Sequence, residues 1–396
     1  MRWENAMRLR QVVRLSAGLF AWGAAILSAE AAGGGSSYRY IAYSGQTIPG
    51  STAQYSTFDV PRIGENGDVA FIASLDSQLN AVFAGQPGNL NLVASQFGDA
   101  GSGGATFARF SNIAVNSAGG TAFQTVLFTE GVVNALWSGK SGLGIEDGDA
   151  LGNFANTVVA AVAPPSLDAS NRLAAKLSLN LGTTFGQSTT SALAVGAAGA
   201  MSAVLKAGDP APGIANGTIV SLYDTGASDG DRPDQNDSGT IAFYATVTQD
   251  GGQTSFGVLY EGPVGSFKPV AIEGQAAPGI ADAVYSFIHE DPSLSSDGKI
   301  AFVADLSSDS EVVSVPSQAV FAGQAGALAP IVRTGDTVPT TSNVVFSNIT
   351  HACVNETGDV VFQADMLYPN QGTRPSIWVQ RRTGDAVLIA ASGVPF

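Results

Sequence analysis

The chain has 396 residues, 45% hydrophobic and only 13% charged, with 48 glycines and a net charge of −15. That apolar fraction excludes a disordered chain, and the acidic balance repels phosphate, which excludes nucleic acid and anionic membrane surfaces as partners. Abundant Gly with few charges predicts many short strands joined by tight turns, in two average domains or one large all-β domain.

Arg8, Arg10 and Arg14 precede an apolar run, "LSAGLFAWGAAILSA" at 15–29, which leads into Ala29-Glu30-Ala31. A basic start, a short apolar stretch and an A-x-A site read as a secretory signal peptide over 1–31. The run is shorter than the roughly 20 residues of a spanning helix, so a retained anchor is the second reading. Without this segment the chain carries 14 basic and 31 acidic residues, a net of −17. The expectation is an exported protein, periplasmic or secreted, with no membrane span after cleavage. Cys353 is the only cysteine, so no intrachain disulfide assists folding.

From residue 38 onward the chain repeats itself. "GENGDVAF" (64–71), "NSAGGTAF" (116–123), "NDSGTIAF" (236–243), "SSDGKIAF" (295–302) and "NETGDVVF" (355–362) share one eight-residue frame. "DASNRLAA" (168–175) is a degenerate copy, with Asn171 for Gly and Ala175 for Phe, and it gives successive spacings of 52, 52, 68, 59 and 60 residues. An Asn that bonds its own backbone and a Gly at positive φ make a tight hairpin, and the alternation after it is that of a strand.

Downstream of each frame stands an aromatic slot, "AVFAG" (81–85), "ALWSG" (135–139), "VLYEG" (258–262), "AVFAG" (319–323) and "SIWVQ" (376–380). Rings of any kind in one repeated slot predict inter-repeat packing rather than a sugar-stacking platform at Trp137 and Trp378. A Gly-Asp turn follows, carrying Asp99, Asp149, Asp209 or Asp336, and reads as the exit from the last strand. One more β-rich run precedes each frame. About four strands per repeat, six times over, predicts an all-β fold over 32–396, a six-bladed β-propeller of antiparallel strands. The opening "YRYIAYSGQTIPG" (38–50) is a seventh copy of the Gly-Asp element, a fifth strand or the remnant of a seventh blade.

Chemistry-bearing residues are few. The insert "YDTGASDGDRPDQNDSG" (223–239) gathers Asp224, Asp229, Asp231, Asp234 and Asp237. Clustered carboxylates suit calcium, yet the loop departs from an EF-hand, and a solvated acidic loop is the plainer reading. "FIHEDPSLSSDG" (287–298) brings together His289, Glu290 and Asp291, the one candidate for acid–base work. His351 and Cys353 lie two apart on a predicted strand, half a metal site at most, and read as a packed pair. Neither His289 nor His351 sits beside a Gly-x-Ser-x-Gly elbow.

Frame, aromatic slot and Gly-Asp turn, recurring in order over 38–396, resemble a family of bacterial exported proteins defined by tandem Asn-x-x-Gly-x-x-Ala-Phe repeats. Members of this choice-of-anchor type have no assigned activity. The resemblance implies an exported, propeller-like repeat protein. Some members end in an apolar helix and a basic cluster, whereas "VLIAASGVPF" lacks both, so a freely soluble product is expected. The expected function is a non-catalytic binding or scaffold module for extracellular glycan or an envelope protein. The alternatives are a calcium-assisted polysaccharide lyase or hydrolase centred on His289, and a structural matrix or surface component.

Overall fold

The computed structural model describes residues 40–393 apart from 65, 102–103, 183–188, 224–231, 253, 309–316, 383 and 385. The 1–31 segment and Asp224, Asp229 and Asp231 therefore lie outside the described residues. Six antiparallel sheets follow one another in sequence as the blades of a propeller, spanning 55–95, 106–146, 157–206, 217–272, 283–333 and 345–391. Within each, the strands run in chain order from the innermost outward.

In four blades the innermost strand is broken in two, as in Gly217–Ser221 and Asp234–Gln235 of the fourth, and these sheets count five strands. The acidic insert is spliced between those two halves. In the second and sixth blades the innermost strand is continuous, Thr106–Val115 and Val345–Val354, and absorbs the same irregularity as two bulges.

The frame makes the hairpin between the innermost strand and the next. Its fourth residue takes positive φ in every blade, at Gly67, Gly119, Gly239, Gly298 and Gly358, and at Asn171 with φ 62° in the degenerate copy. Only Gly, or Asn at some cost, accepts that conformation. The leading Asn closes the turn: Asn116 Oδ1 accepts from the Gly120 amide at 2.7 Å and Asn236 Oδ1 from the Thr240 amide at 3.0 Å. Its other end reaches the following blade, where Asn116 Nδ2 donates to the Asp168 carbonyl at 2.6 Å and Asn236 Nδ2 to the Ser295 carbonyl at 3.0 Å. In the second and fourth blades the frame is thus a hairpin and an inter-blade staple at once.

Its Ala-Phe pair builds the core. Ala242 packs toward the fifth blade and Phe243 toward the third; Ala301 faces the sixth and Phe302 the fourth. One ring from one side meets one methyl from the other, and so the sheets approach closely. The slot aromatics Phe83, Trp137, Tyr260, Phe321 and Trp378 are all buried, and Tyr260 and Phe321 stack on the frame Phe of their own blades at 5.4 and 5.7 Å. Five apolar clusters join successive blades. The remaining face of the first blade is covered by Ile48, Tyr55 and neighbours from its own entry segment.

The Gly-Asp element is the exit turn of the last strand, where the Asp149, Asp209 and Asp336 amides donate to the Glu146, Lys206 and Arg333 carbonyls at 3.1 Å, and it also leads into the next blade. Each copy forms an isolated bridge to the innermost strand of the blade that follows, as in Asp99 to Thr106, Pro210 to Thr218 and Thr337 to Val345. Thr47 to Gln54 is the same bridge at the entrance to the first blade. The seventh copy is therefore the first blade's entry turn, and residues 40–43 add no strand to any sheet. Among the described residues no helix is long and apolar enough to cross a membrane.

Candidate functional site

The six innermost strands surround an axial cavity of about 120 Å³, with walls from every blade. Two rings of side chains line it, set by the register of each innermost strand against its frame strand. The residue immediately before each frame is Ile63, Val115, Leu167, Gln235, Leu294 or Val354, and the one before that is Arg62, Ala114, Ser166, Asp234, Ser293 or Cys353.

The second ring faces the following blade. Asp234 Oδ2 accepts the Leu294 amide of the fifth blade at 2.8 Å, and Ser293 Oγ accepts the Val354 amide of the sixth at 3.2 Å. The other oxygen of Asp234 sits 3.5 Å from Arg232 Nη2, with these side chains only 18% and 13% exposed. Asp291 Oδ2 lies 3.7 Å from His351 Nδ1, and Asp237 and Arg62 complete the charged lining. Two groups stand apart. The Oγ of Ser166 and both Nε2 and Oε1 of Gln235 are buried without a hydrogen-bond partner among the described residues. Such groups cost about 1–3 kcal/mol each unless something pairs with them.

Of the described residues singled out by sequence, the fold brings Asp234, Asp237, Asp291, His351 and Cys353 to one cavity and sets His289 and Glu290 apart from it. His289 Nε2 is 3.0 Å from Asp305 Oδ1, a carboxylate also held by Gln318 Nε2 at 3.0 Å, and Gln318 Oε1 in turn accepts the Ile349 amide of the sixth blade. Glu290 turns the other way: burial above all, then the charges of Glu273 and Glu290, push the Tyr244 phenol far above its usual pKa. The sequence-adjacent trio of His289, Glu290 and Asp291 therefore serves three surroundings. His351 and Cys353 do share a face, and that face is the cavity wall. Among the described residues no three His, Cys, Asp or Glu side chains are grouped so as to hold a metal ion.

Arg62, Ser166, Arg232 and Gln235 were not read from sequence. One signal was present: with the six frames aligned, five of the residues preceding them are aliphatic and the sixth is Gln235.

The match to known families spans residues 23–396, nearly the whole chain. The chain belongs to the family of unknown function DUF7453. No curated protein matches it in sequence. Among solved structures it is similar to a puromycin-hydrolysing peptidase of Mycobacterium tuberculosis, with 11% identity and a TM-score of 0.33, over 84% of this chain and 53% of that one. The chain thus spans about half the length of that peptidase. It is likewise similar to the Aleuria aurantia lectin in complex with α-methyl-L-fucoside, with 11% identity and a TM-score of 0.29, over 83% of this chain and 92% of that one. At these values the likenesses carry nothing about activity.

Proposed function

We propose that this DUF7453 protein is an exported, non-catalytic binding module that holds an extracellular glycan in the axial cavity. The observation that carries the reading is the cavity itself. Six blades supply its polar walls, two of its buried polar groups are left unpaired, and a volume of about 120 Å³ holds on the order of ten waters, the room a sugar ring needs. Its charges nearly balance, with Arg62 and Arg232 against Asp234, Asp237 and Asp291, so a neutral polar ligand suits it better than an ion. The export segment and the resemblance to exported repeat proteins support a place outside the cytoplasm, where such ligands occur.

The test is a glycan array followed by titration calorimetry with the purified protein. Saturable binding of a neutral glycan, weakened by Arg232→Ala, is the expected result. A silent array combined with self-association in light scattering would instead favour the matrix component. One observation keeps the enzyme alternative in view: His289 has a carboxylate partner at 3.0 Å, but it is Asp305 rather than Asp291. Turnover of a polysaccharide that His289→Ala abolishes would establish it.

A further inference from the structure

Ring position by ring position, the propeller is its own control. Immediately before the frame five blades place Ile63, Val115, Leu167, Leu294 and Val354, side chains with no hydrogen bonds to make. The fourth blade places Gln235 there, 7% exposed, with its whole carboxamide unpaired among the described residues. On the strand of the third blade that neighbours Asp234–Gln235 is Ser166, 3% exposed, at the position where Ser293 and Asp234 accept an amide N–H from the next blade. Ser166 Oγ accepts none. One departure from the repeat, at Gln235, and one hydroxyl without the inter-blade bond that Asp234 and Ser293 make, at Ser166, leave two unsatisfied residues at the edge of one cavity. A repeat that fills this place with aliphatic carbon five times has no packing reason to put an amide in the sixth.

We propose that Gln235, with Ser166, is the two-point anchor of the axial site, and that the group it holds is the vicinal diol of a neutral sugar. This rests on the glycan reading above and narrows it. Along its syn edge a primary carboxamide presents one N–H donor and one acceptor side by side, in one plane, with its second N–H directed away. A carboxylate or phosphate accepts only, and would leave Oε1 unpaired; an ammonium donates only, and would leave Nε2 unpaired. The trans amide of an acetamido group turns its N–H and C=O to opposite sides, so one such group cannot meet both atoms. Adjacent hydroxyls on a pyranose offer one acceptor and one donor at the matching spacing. Ser166 Oγ, which both donates and accepts, is then free for a third hydroxyl.

The experiment pairs stability with binding. Gln235→Leu restores the side chain type of the other five blades, and Gln235→Met preserves the volume if Leu proves too short. Binding is read by saturation-transfer NMR against methyl glucoside, mannoside and galactoside and their 2-, 3- and 4-deoxy analogues. The expected result has three parts. At least one methyl pyranoside binds the wild-type protein. Removing either of two adjacent hydroxyls weakens it about tenfold, the loss of one well-made hydrogen bond. Both variants melt at a higher temperature than wild type and lose the sugar. Sugar binding that survives both variants, or that tolerates every deoxygenation, overturns the diol anchor and leaves the glycan reading standing. A lowered melting temperature in both variants overturns it as well, because Gln235 would then be a satisfied structural residue. Failure of every sugar to bind wild type overturns the glycan reading itself, and the anchor with it.

Discussion

Replacing Asn236 by Ala tests whether the repeated frame holds neighbouring blades together. Asn236 is 2% exposed, and its side chain bonds four backbone groups: the Ser238 amide at 3.2 Å, the Thr240 amide at 3.0 Å and, across the interface, the Ser295 carbonyl at 3.0 Å and more weakly the Ser296 carbonyl at 3.5 Å. At about 0.5–1.5 kcal/mol net for each bond, the substitution should destabilise the propeller by about 2–4 kcal/mol. The matched control is Asn355→Ala. Asn355 opens the same frame in the sixth blade, where its oxygen accepts the Asp359 amide at 2.8 Å, but its Nδ2 reaches only Asp359 Oδ2 of its own turn, at 3.4 Å. That variant loses one backbone bond and should cost about 1–2 kcal/mol. Asn236→Asp keeps the accepting oxygen and removes the donor, which isolates the staple. Urea unfolding followed by the fluorescence of the buried Trp137 and Trp378 reads all three as shifts in midpoint at constant slope. Equal costs for Asn236→Ala and Asn355→Ala, with a silent Asn236→Asp, would refute the inter-blade role and leave the frame a simple hairpin turn.

Other perturbations follow from the same geometry. Phe302→Ala removes a fully buried ring stacked on Phe321 and should cost about 3–5 kcal/mol by urea unfolding; a negligible effect would remove the frame Phe from the core. Gly120→Ala would drive its Cβ into Asn171 Oδ1 of the next blade and displace that side chain from its hydrogen bond with Asn116 Nδ2, so the variant should unfold at lower urea by about the worth of one hydrogen bond, and unchanged stability would count against the close approach of these two turns. Burial first, and for Glu146 the neighbouring charges of Asp149 and Asp147, raise the carboxyl groups of Glu146 and Asp147 above their ordinary values. A raised folded pKa means that the folded state binds more protons than the unfolded one between the two values. Stability therefore falls as pH rises through that window, and the penalty is complete above it. The double variant Glu146→Gln, Asp147→Asn should lose less stability than wild type between pH 4 and pH 7, and identical pH profiles would argue against it. Calcium should leave the melting temperature where EDTA leaves it, because Asp234 already spends its oxygens on Arg232 and the Leu294 amide. An upward shift, reversed by chelation, would show that the acidic insert holds metal in the folded state.

The sequence by itself determined the number of blades, the hairpin of each frame and the core. Period, turn chemistry and alternation are local: Gly at a positive-φ position, Asn bonding its own turn, and Ala beside Phe can each be read within eight residues. It also announced that Phe83, Trp137, Tyr260, Phe321 and Trp378 are packing rings, because one slot accepts any of them. Only the tertiary structure decided which distant residues meet. The strand register around a closed ring brings Arg62, Ser166, Asp234, Asp291 and His351 to one axis from five different blades. The same register sends His289, two residues from Asp291, to a partner on another strand. Proximity along the chain is a poor guide here, since the innermost strands converge at the axis while consecutive side chains on each of them diverge toward opposite neighbours. Gln235 stands between the two cases. Its identity breaks a pattern written in the sequence, but that its amide is buried, unpaired and on the strand neighbouring that of Ser166 is a property of the folded ring alone.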